Sequence, residues 1–585
     1  MWQNFSESVK KILDKLLSVI FLLAIISLVA EYGFYLSSSM EALVHRIDVI
    51  IVWYYVVHIL LRLILARNRL TYLKTHWFDF VLVVLIISET TLFIKSTGFD
   101  LFGKFLGGKD IVQITKVYII AFQISIILSL LSQIIRLNQK VVSMKFYPAQ
   151  LLMASFLIII LVGTSLLMLP KSLAPGKHLS VLDALFTATS ATCVTGLIVV
   201  DTGQHFSQMG QIIILTLIQI GALGLMTYAS FFALILRRNI SLKEKSMLRD
   251  MLNYENMGLI SKLVTYTVVF TFLLEALGAI FLYIGLGSGD VDPENRFYSA
   301  IFHSISAFCN AGFSIYSDSF MRYQQNYLVI LTLSMLIILG GLGFPVLLNL
   351  ARGRFTRFGS WVKWLTVQSK LVIGITGFLL LFGTGFYLIA EHDNTLAHLD
   401  WPERILNAFF QSVTARTAGF NTLDIGLVTT PMIFVFLLLM FIGASPGSTG
   451  GGIKTTTIGI LFAGVWSVIK GRSRIELFKK NIPFTVLNRA LVILLFSGSF
   501  LFIVIVLLSF TENLPLIDLV FEAFSAFGTV GLSRGITPML SEWGKLIIIL
   551  TMYFGRIGAL TISLAITTPR EIYHYDYPSE NVMVG

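Results

Sequence analysis

Charge is scarce in this chain. Asp, Glu, Lys and Arg make up 13% of its 585 residues, against 56% hydrophobic ones, whereas an average soluble domain carries about 25% charged residues. Apolar runs of 18 or more residues recur, which identifies a polytopic membrane protein and excludes a soluble fold. There are only two cysteines, Cys193 and Cys309. They offer no disulfide framework, and with no His or Cys clustered beside them they do not build a metal site. The nine histidines are scattered and most lie between apolar segments, so neither they nor the few acids form the constellation a membrane enzyme needs. A cleavable leader is not expected, because the apolar segment after Lys15 is long enough to span and is followed by others.

The net charge of +11 does not point to nucleic acid, because the basic residues are sorted by loop. Twelve spans are predicted, near 15–37, 47–66, 78–96, 111–135, 150–169, 210–236, 262–286, 325–351, 371–390, 430–470, 488–510 and 545–567. Residues 237–262 hold six Lys/Arg, 352–370 hold five and 470–489 hold six. The alternate loops are acidic, as at Asp290, Asp292 and Glu294 or Glu391, Asp393, Asp400 and Glu403. The positive-inside rule then puts both termini and the basic loops in the cytoplasm. Residues 1–140 supply four spans. Residues 146–585 supply eight more, with no soluble domain among them.

What the second part does contain is one signature four times: Phe, nine residues, Gly. It runs Phe186–Gly196, Phe302–Gly312, Phe409–Gly419 and Phe521–Gly531, with the glycines 116, 107 and 112 residues apart. Each copy sits between two apolar segments, in loops near 181–200, 297–314, 403–422 and 516–533. Ser180 to Asp183 and Asp400 to Glu403 read as helix starts, so each loop is expected to hold a short re-entrant helix. Non-helical backbone at membrane depth must be buried in protein or line a wet cavity. Four such loops around an axis meet that condition, and one cannot. The helix C-termini would face the axis with partial negative charge, which favours a cation.

The predicted fold is therefore an all-α polytopic membrane protein. Four pseudo-symmetric helix–pore loop–helix repeats surround a central pore, preceded by a four-helix module. A dehydrated monovalent cation needs a ring of oxygens, and backbone carbonyls supply it without fixed charge. The candidate filter is Val194, Thr195 and Gly196; Asn310, Ala311 and Gly312; Thr417, Ala418 and Gly419; Thr529, Val530 and Gly531. Glycine at the repeat position permits positive φ and close backbone approach. The twelve residues include no Asp or Glu, the ring a divalent-selective site would present. Glu275, inside an apolar segment, reads as a hydrogen-bonding partner. Second-helix motifs Gly221–Gly224, Gly340–Gly343, Gly443–Gly447 and Gly555–Gly558 read as close helix packing.

Two further features stand out. Gly443-Ala-Ser445-Pro-Gly447-Ser448-Thr449-Gly450-Gly451-Gly452-Ile-Lys454 breaks an apolar segment with glycines and hydroxyls, which predicts an irregular stretch beneath the filter. A phosphate-cradling loop is excluded by the missing preceding strand. Arg556 lies inside the last span, where an unpaired charge costs about 2.5–3.5 kcal/mol, so it should face the bundle interior.

The four loops, Gln219–Gly224, Gly340–Pro345 and the terminal Val584–Gly585 together resemble the Trk/Ktr/HKT superfamily of potassium transporters, most nearly the bacterial Ktr-type subunits, over about 440 residues. The resemblance implies potassium uptake through the four-loop filter. In that family a serine at the first filter glycine accompanies sodium selectivity, and this chain has Gly196 there. It also implies that Gly443–Lys454 is an intramembrane gate, although Pro446 departs from the usual pattern, and that Arg556 stands at the constriction below the filter. K+ would be the substrate, with Na+ a candidate activator and no cofactor on the chain. The expected partners are a cytoplasmic ring of nucleotide-binding regulatory subunits, a second copy in a homodimer, and membrane lipid. A sodium-carrying or weakly selective transporter of the same fold is the alternative; a membrane sensor, resting on the N-terminal module alone, is another. That module faintly resembles part of a voltage sensor over Arg62–Asp79, yet its fourth span offers only Lys116 and Arg136 as gating charges, too few for that role.

Overall fold

Each apolar–loop–apolar unit of the sequence folds, in a computed structural model of the chain, as an outer helix, a short pore helix and an inner helix. The structure describes residues 148–236, 260–288, 293–351 and 364–558, with 26–65, 69–75 and isolated positions between 13 and 83 and at 580. The first repeat has Pro148–Leu167, Val181–Thr192 and Gln208–Leu236 as its three helices. In the second, Ile260–Gly285 and Pro293–Phe308 lead into an inner helix split as Tyr327–Leu342 and Phe344–Ala351. The third has Val367–Ala390, Trp401–Thr414 and a second split pair, Thr430–Phe441 and Thr455–Ile469. Phe484–Thr511, Leu516–Gly528 and Glu542–Ile557 complete the fourth.

The helix starts are written locally. Ser180 Oγ accepts from Asp183 N at 3.0 Å. Asp400 and Glu403 form a reciprocal capping box with Pro402 in the first turn, where its missing N–H is not needed. Each pore helix wholly buries a phenylalanine along its length, Phe186, Phe302, Phe410 or Phe521, and the second also buries Phe308 at its end.

Among the described residues, four helices are long and apolar enough to cross a membrane: Ser38–Ile64, Tyr266–Gly285, Val367–Ala390 and Phe484–Thr511. The pair Tyr327–Leu342 and Phe344–Ala351, apolar enough together but bent by 100°, is a broken span or a re-entrant loop, and shorter apolar helices occur at Leu152–Leu167, Gln208–Gly224, Thr430–Phe441 and Thr455–Ile469. Outer helices expose large apolar side chains such as Leu381, Ile389 and Phe510, a surface suited to lipid and not to water.

Besides the expected break in 430–470, two more predicted spans are not single helices. That at 325–351 breaks at Gly343, and that at 545–567 ends its described helix at Ile557, with Gly558 beyond it. Gly343 (φ 88°, ψ 140°) and Gly558 (φ 87°, ψ 143°) hold a conformation open in practice to glycine alone. The span at 111–135, all of 78–96 but Phe80 and Val83, most of the basic loops 237–262 and 352–370, and the terminal Val584–Gly585 lie outside the described residues. The third basic loop carries a hairpin in which Ile475–Leu477 pairs antiparallel with Lys480–Ile482.

The chain divides into two compact units, Met1–Phe146 with Leu169–Lys171, and Tyr147–Met168 with Ser172–Gly585. In the first, Ala24, Ile51, Val56, Ile59 and Val83 form a small core, and Ser27 Oγ donates to Asp48 Oδ1 at 2.6 Å. In the second, the four repeats are stitched in a closed circuit. Gln204 Nε2 of the first donates to Ser317 Oγ of the second at 2.9 Å. The second and third share the bond from Phe320 N to Asn421 O, also 2.9 Å. Arg534 of the fourth donates to Gly426 O of the third at 3.1 Å, and Lys545 Nζ reaches back to Asp183 Oδ1 of the first at 2.7 Å.

Candidate functional site

The pore helices end at Thr192, Phe308, Thr414 and Gly528, three to five residues before the repeat glycines. In every loop two residues then take positive φ with an ordinary residue between them. These are Val194 (57°) and Gly196 (93°), Asn310 (59°) and Gly312 (68°), Thr417 (77°) and Gly419 (78°), Thr529 (50°) and Gly531 (89°). Alternating the backbone's hand in this way turns successive carbonyls toward one side, the arrangement a carbonyl ring requires. Non-glycine residues enter this region at a cost and persist only where surroundings hold them.

The four loops meet head to tail. A Cβ added at Gly196 would fall on the carbonyl oxygen of Ala311; one at Gly312 on that of Ala418; one at Gly419 on that of Val530; and one at Gly531 on that of Thr195. The circuit closes after four steps in chain order. All twelve candidate filter residues are therefore brought together, and each repeat glycine is required twice, for its φ and for the neighbouring carbonyl. At the second and third loops the side chains also join: Asn310 Oδ1 accepts from Thr417 Oγ1 at 3.0 Å while its nitrogen donates to the Ala307 and Ile337 carbonyls.

The third loop corrects the repeat signature. Phe409 is only half-buried, and Phe410 takes the place of Phe186, Phe302 and Phe521. Counting from it, a hydroxyl lies four residues on in each loop: Ser190, Ser306, Thr414 and Ser525. Ser190 and Ser525 Oγ each accept from their repeat glycine's N–H at 3.1 Å. Ser306 and Thr414 instead donate to the carbonyls of Phe313 and Phe420, both at 2.8 Å. The third loop thus has eight residues, not nine, between phenylalanine and glycine.

Three inner helices press against the ends of the pore helices. Cβ atoms added at Gly221, Gly340 and Gly555 would collide with the carbonyl oxygens of Thr192, Phe308 and Phe527, so the small-residue motifs are indeed sites of close approach. Cys193 and Cys309 are both free and wholly buried behind the ring. Glu275 is buried too, accepting from Gln219 Nε2 at 3.2 Å and facing the Cys309 thiol at 3.7 Å, the hydrogen-bonding role expected of it.

In the third repeat the break expands into the Gly443–Gly452 loop, closed at its base by a parallel bridge between Ile442 and Ile453. Its backbone bonds the second repeat, with Ser445 N donating to Gly341 O at 3.0 Å and Thr449 N to Gly340 O at 3.3 Å. Gly447 O accepts from Phe344 N at 2.9 Å, at the helix break after Gly343. Gly451 N donates to Thr529 Oγ1 in the fourth filter loop at 2.9 Å, and a Cβ on Gly450 would strike Thr417 in the third. The loop's hydroxyls Ser445, Ser448 and Thr449 are buried, and Ser445 Oγ accepts from Thr455 Oγ1 at 3.1 Å. The loop therefore lies against the filter on the side where the inner helices break.

Cations hold this loop by its carbonyls. Arg556 donates through one terminal nitrogen to Thr449 O and through the other to Gly221 O at 2.7 Å. Lys454 Nζ donates to Gly450 O at 2.7 Å. Arg416, which sequence reasoning passed over, is buried in the third filter loop and reaches Gly443 O at 3.5 Å. Charge-assisted bonds of this kind are about twice as strong as neutral ones, and none of the three cations has an Asp or Glu in salt-bridge reach among the described residues.

Residues 114–574 match a family described as "TrkH: Cation transport protein". The match opens inside the segment read as the fourth N-terminal span, 111–135. The chain is 40% identical over 454 residues to the potassium/sodium uptake protein NtpJ of Enterococcus hirae, covering 76% of this chain and 99% of that one. It is 40% identical over 445 residues to the Ktr system potassium uptake protein B of Bacillus subtilis, covering 75% and 97%. Among solved structures, the crystal structure of the potassium transporter TrkH from Vibrio parahaemolyticus superposes with a TM-score of 0.56, over 71% of this chain and 85% of that one. At 20% identity, that likeness speaks for the fold.

Proposed function

The chain belongs to the TrkH family of cation transport proteins, multi-pass membrane transporters and not enzymes, and we propose that it takes up K+ through the ring of four pore loops. The closed head-to-tail circuit of repeat glycines and neighbouring carbonyls carries this reading. An uncharged ring can replace the hydration shell of a monovalent cation without trapping it, and the pore-helix C-termini add partial negative charge behind it. An inside-negative potential favours entry by about 2.3 kcal/mol per 100 mV for each charge.

Val194–Gly196, Asn310–Gly312, Thr417–Gly419 and Thr529–Gly531 act as the filter. The Gly443–Gly452 loop with Lys454 acts as the gate beneath it, and Arg556 opposes cation passage while it pins the loop. K+ is the substrate, Na+ a candidate activator, and both termini lie in the cytoplasm. The B. subtilis relative's name describes a component of a system, which supports a separate regulatory partner. A nucleotide-binding cytoplasmic ring and a homodimer are the forms proposed here. The name of the E. hirae relative favours a second reading, carriage of sodium as well.

The test is ion uptake by potassium-uptake-deficient cells expressing this chain. K+ should be strongly preferred, and Gly196→Ser should shift preference toward Na+, because its Cβ meets the Ala311 carbonyl at a φ of +93°. Equal uptake of both ions by the native chain supports the second reading. A variant with native preference overturns the filter.

A further inference from the structure

Behind the outer end of the filter, one position of each pore helix faces the chain as it leaves the ring. It is the residue after the buried phenylalanine: Thr187, His303, Gln411 and Glu522. In three repeats it bonds a hydroxyl two or three residues beyond the repeat glycine. His303 Nε2 meets Ser314 Oγ at 3.0 Å. Gln411 Nε2 donates to Thr422 Oγ1 at 3.4 Å. Glu522 Oε2 accepts from Ser533 Oγ at 2.9 Å, and its other oxygen accepts from Thr537 Oγ1. Three different side chains make the same kind of bond at the same place.

Two of the braces, His303 and Glu522, are anchored from behind. His303 Nε2 also receives the Ile315 N–H at 3.4 Å, so that nitrogen is an acceptor and the proton sits on Nδ1, which donates to Ser299 O at 2.8 Å. The ring is stacked on Tyr316 and edge-on to Phe320, both at 4.8 Å between centroids. Glu522 is wholly buried, and its two hydroxyl donors are themselves linked at 3.0 Å. The first repeat is the exception. Thr187 Oγ1 turns back to Asp183 O within its own helix at 2.9 Å, and the exit positions that match are the apolar Ile198 and Val199.

We propose that His303, Gln411 and Glu522 are positioning residues that set the filter's cation discrimination by bracing the exit strands of the second, third and fourth loops, leaving the unbraced first loop as the compliant side of the ring. Telling two monovalent cations apart requires the carbonyls to resist closing onto the smaller one. Up to the repeat glycine each loop is held to its pore helix by backbone bonds such as Thr195 N to Ser190 O and Val530 N to Ser525 O, and the braces extend that hold to the strand beyond the glycine. This proposal rests on the filter reading above.

The experiment measures the K+-to-Na+ uptake ratio, normalised to membrane-inserted protein, for Ser314→Ala, Thr422→Val, Ser533→Ala and Glu522→Gln, with Thr187→Val and Gly196→Ser alongside. Each brace variant should lower the ratio about three- to tenfold, the effect of one lost hydrogen bond. Ser533→Thr should keep the native ratio, and so should Thr187→Val. The fourth brace is read from both ends, so a Glu522 variant that fails to insert is answered by Ser533→Ala. If the brace variants keep the native ratio, or lose uptake of both ions equally, while Gly196→Ser shifts it, the braces are only structural and the filter stands. If Gly196→Ser keeps the native ratio as well, the filter reading falls and the braces with it.

Discussion

Arg556 shows how much one side chain can be asked to do. Its guanidinium joins the Thr449 carbonyl of the loop to the Gly221 carbonyl of the first inner helix, so it is both a strut and a buried positive charge beside the filter. Substitution separates the two roles. Arg556→Gln removes the charge and leaves one donor group, so K+ uptake per inserted molecule should rise with selectivity unchanged. Arg556→Lys keeps the charge but loses the planar fork and should change uptake less. If both variants lower the amount of inserted protein and leave uptake per molecule alone, the arginine is a strut only. That Arg556 points inward was legible in the sequence, because a charge inside an apolar span has nowhere else to go. Its two carbonyl partners, 107 and 335 residues away, were not. The repeat glycines were legible for the same kind of reason, since a tight ring tolerates no other residue. The doublet Phe409-Phe410 hid the shorter third loop, because either phenylalanine gives a plausible spacing and only burial decides. Arg416 and Glu522 went unread because each is explained by partners that sequence spacing does not bring near.

At the scale of the element, what distinguishes the four inner helices is where they stop. Two end at a glycine with φ near 88°, after Leu342 and Ile557, and the third opens into the Gly443–Gly452 loop. The sequence announced the third break through its length and glycine content. The other two were concealed in Gly-x-x-Gly motifs that also mark close packing, and a motif serving both purposes cannot be assigned from composition. The loop is tied to the second repeat by Gly340, Gly341 and Phe344, and to the fourth by Thr529 and Arg556, so it bridges elements that surround the pathway. Shortening it should raise K+ uptake and reduce dependence on a regulatory partner; unaltered or lower uptake by a folded deletion counts against a gate. The packing role has its own test. Gly555→Ala sets a methyl against the Phe527 carbonyl, and overpacking of that kind costs about 1–3 kcal/mol. Less inserted protein is expected, with the ion preference of what remains unchanged.

At the scale of the whole molecule, the relatives bear on where the transporter begins. NtpJ and the B. subtilis uptake protein are matched over 99% and 97% of their own lengths by 76% and 75% of this chain, so about a quarter of the chain has no counterpart in them. The family match starts at residue 114, while the second compact unit starts at Tyr147, and the segment between holds most of the fourth N-terminal span read from the sequence, 111–135. Two truncations separate the possibilities. If residues 1–140 are an accessory module, a chain lacking them should insert and show the native K+-to-Na+ uptake ratio and rate, because all four filter loops and the Gly443–Gly452 loop lie in what remains. A chain lacking only residues 1–113 should then behave the same way. Native uptake after the shorter truncation and none after the longer would assign the segment 114–140 to the transporter itself. Loss of ion uptake in both would make the N-terminal module part of the transport machinery, in the direction of the sensor alternative. The first outcome is expected on physical grounds: the ring closes through bonds among the four repeats themselves, from Gln204 to Ser317, Phe320 to Asn421, Arg534 to Gly426 and Lys545 to Asp183, and not one of these bonds uses a residue before 148.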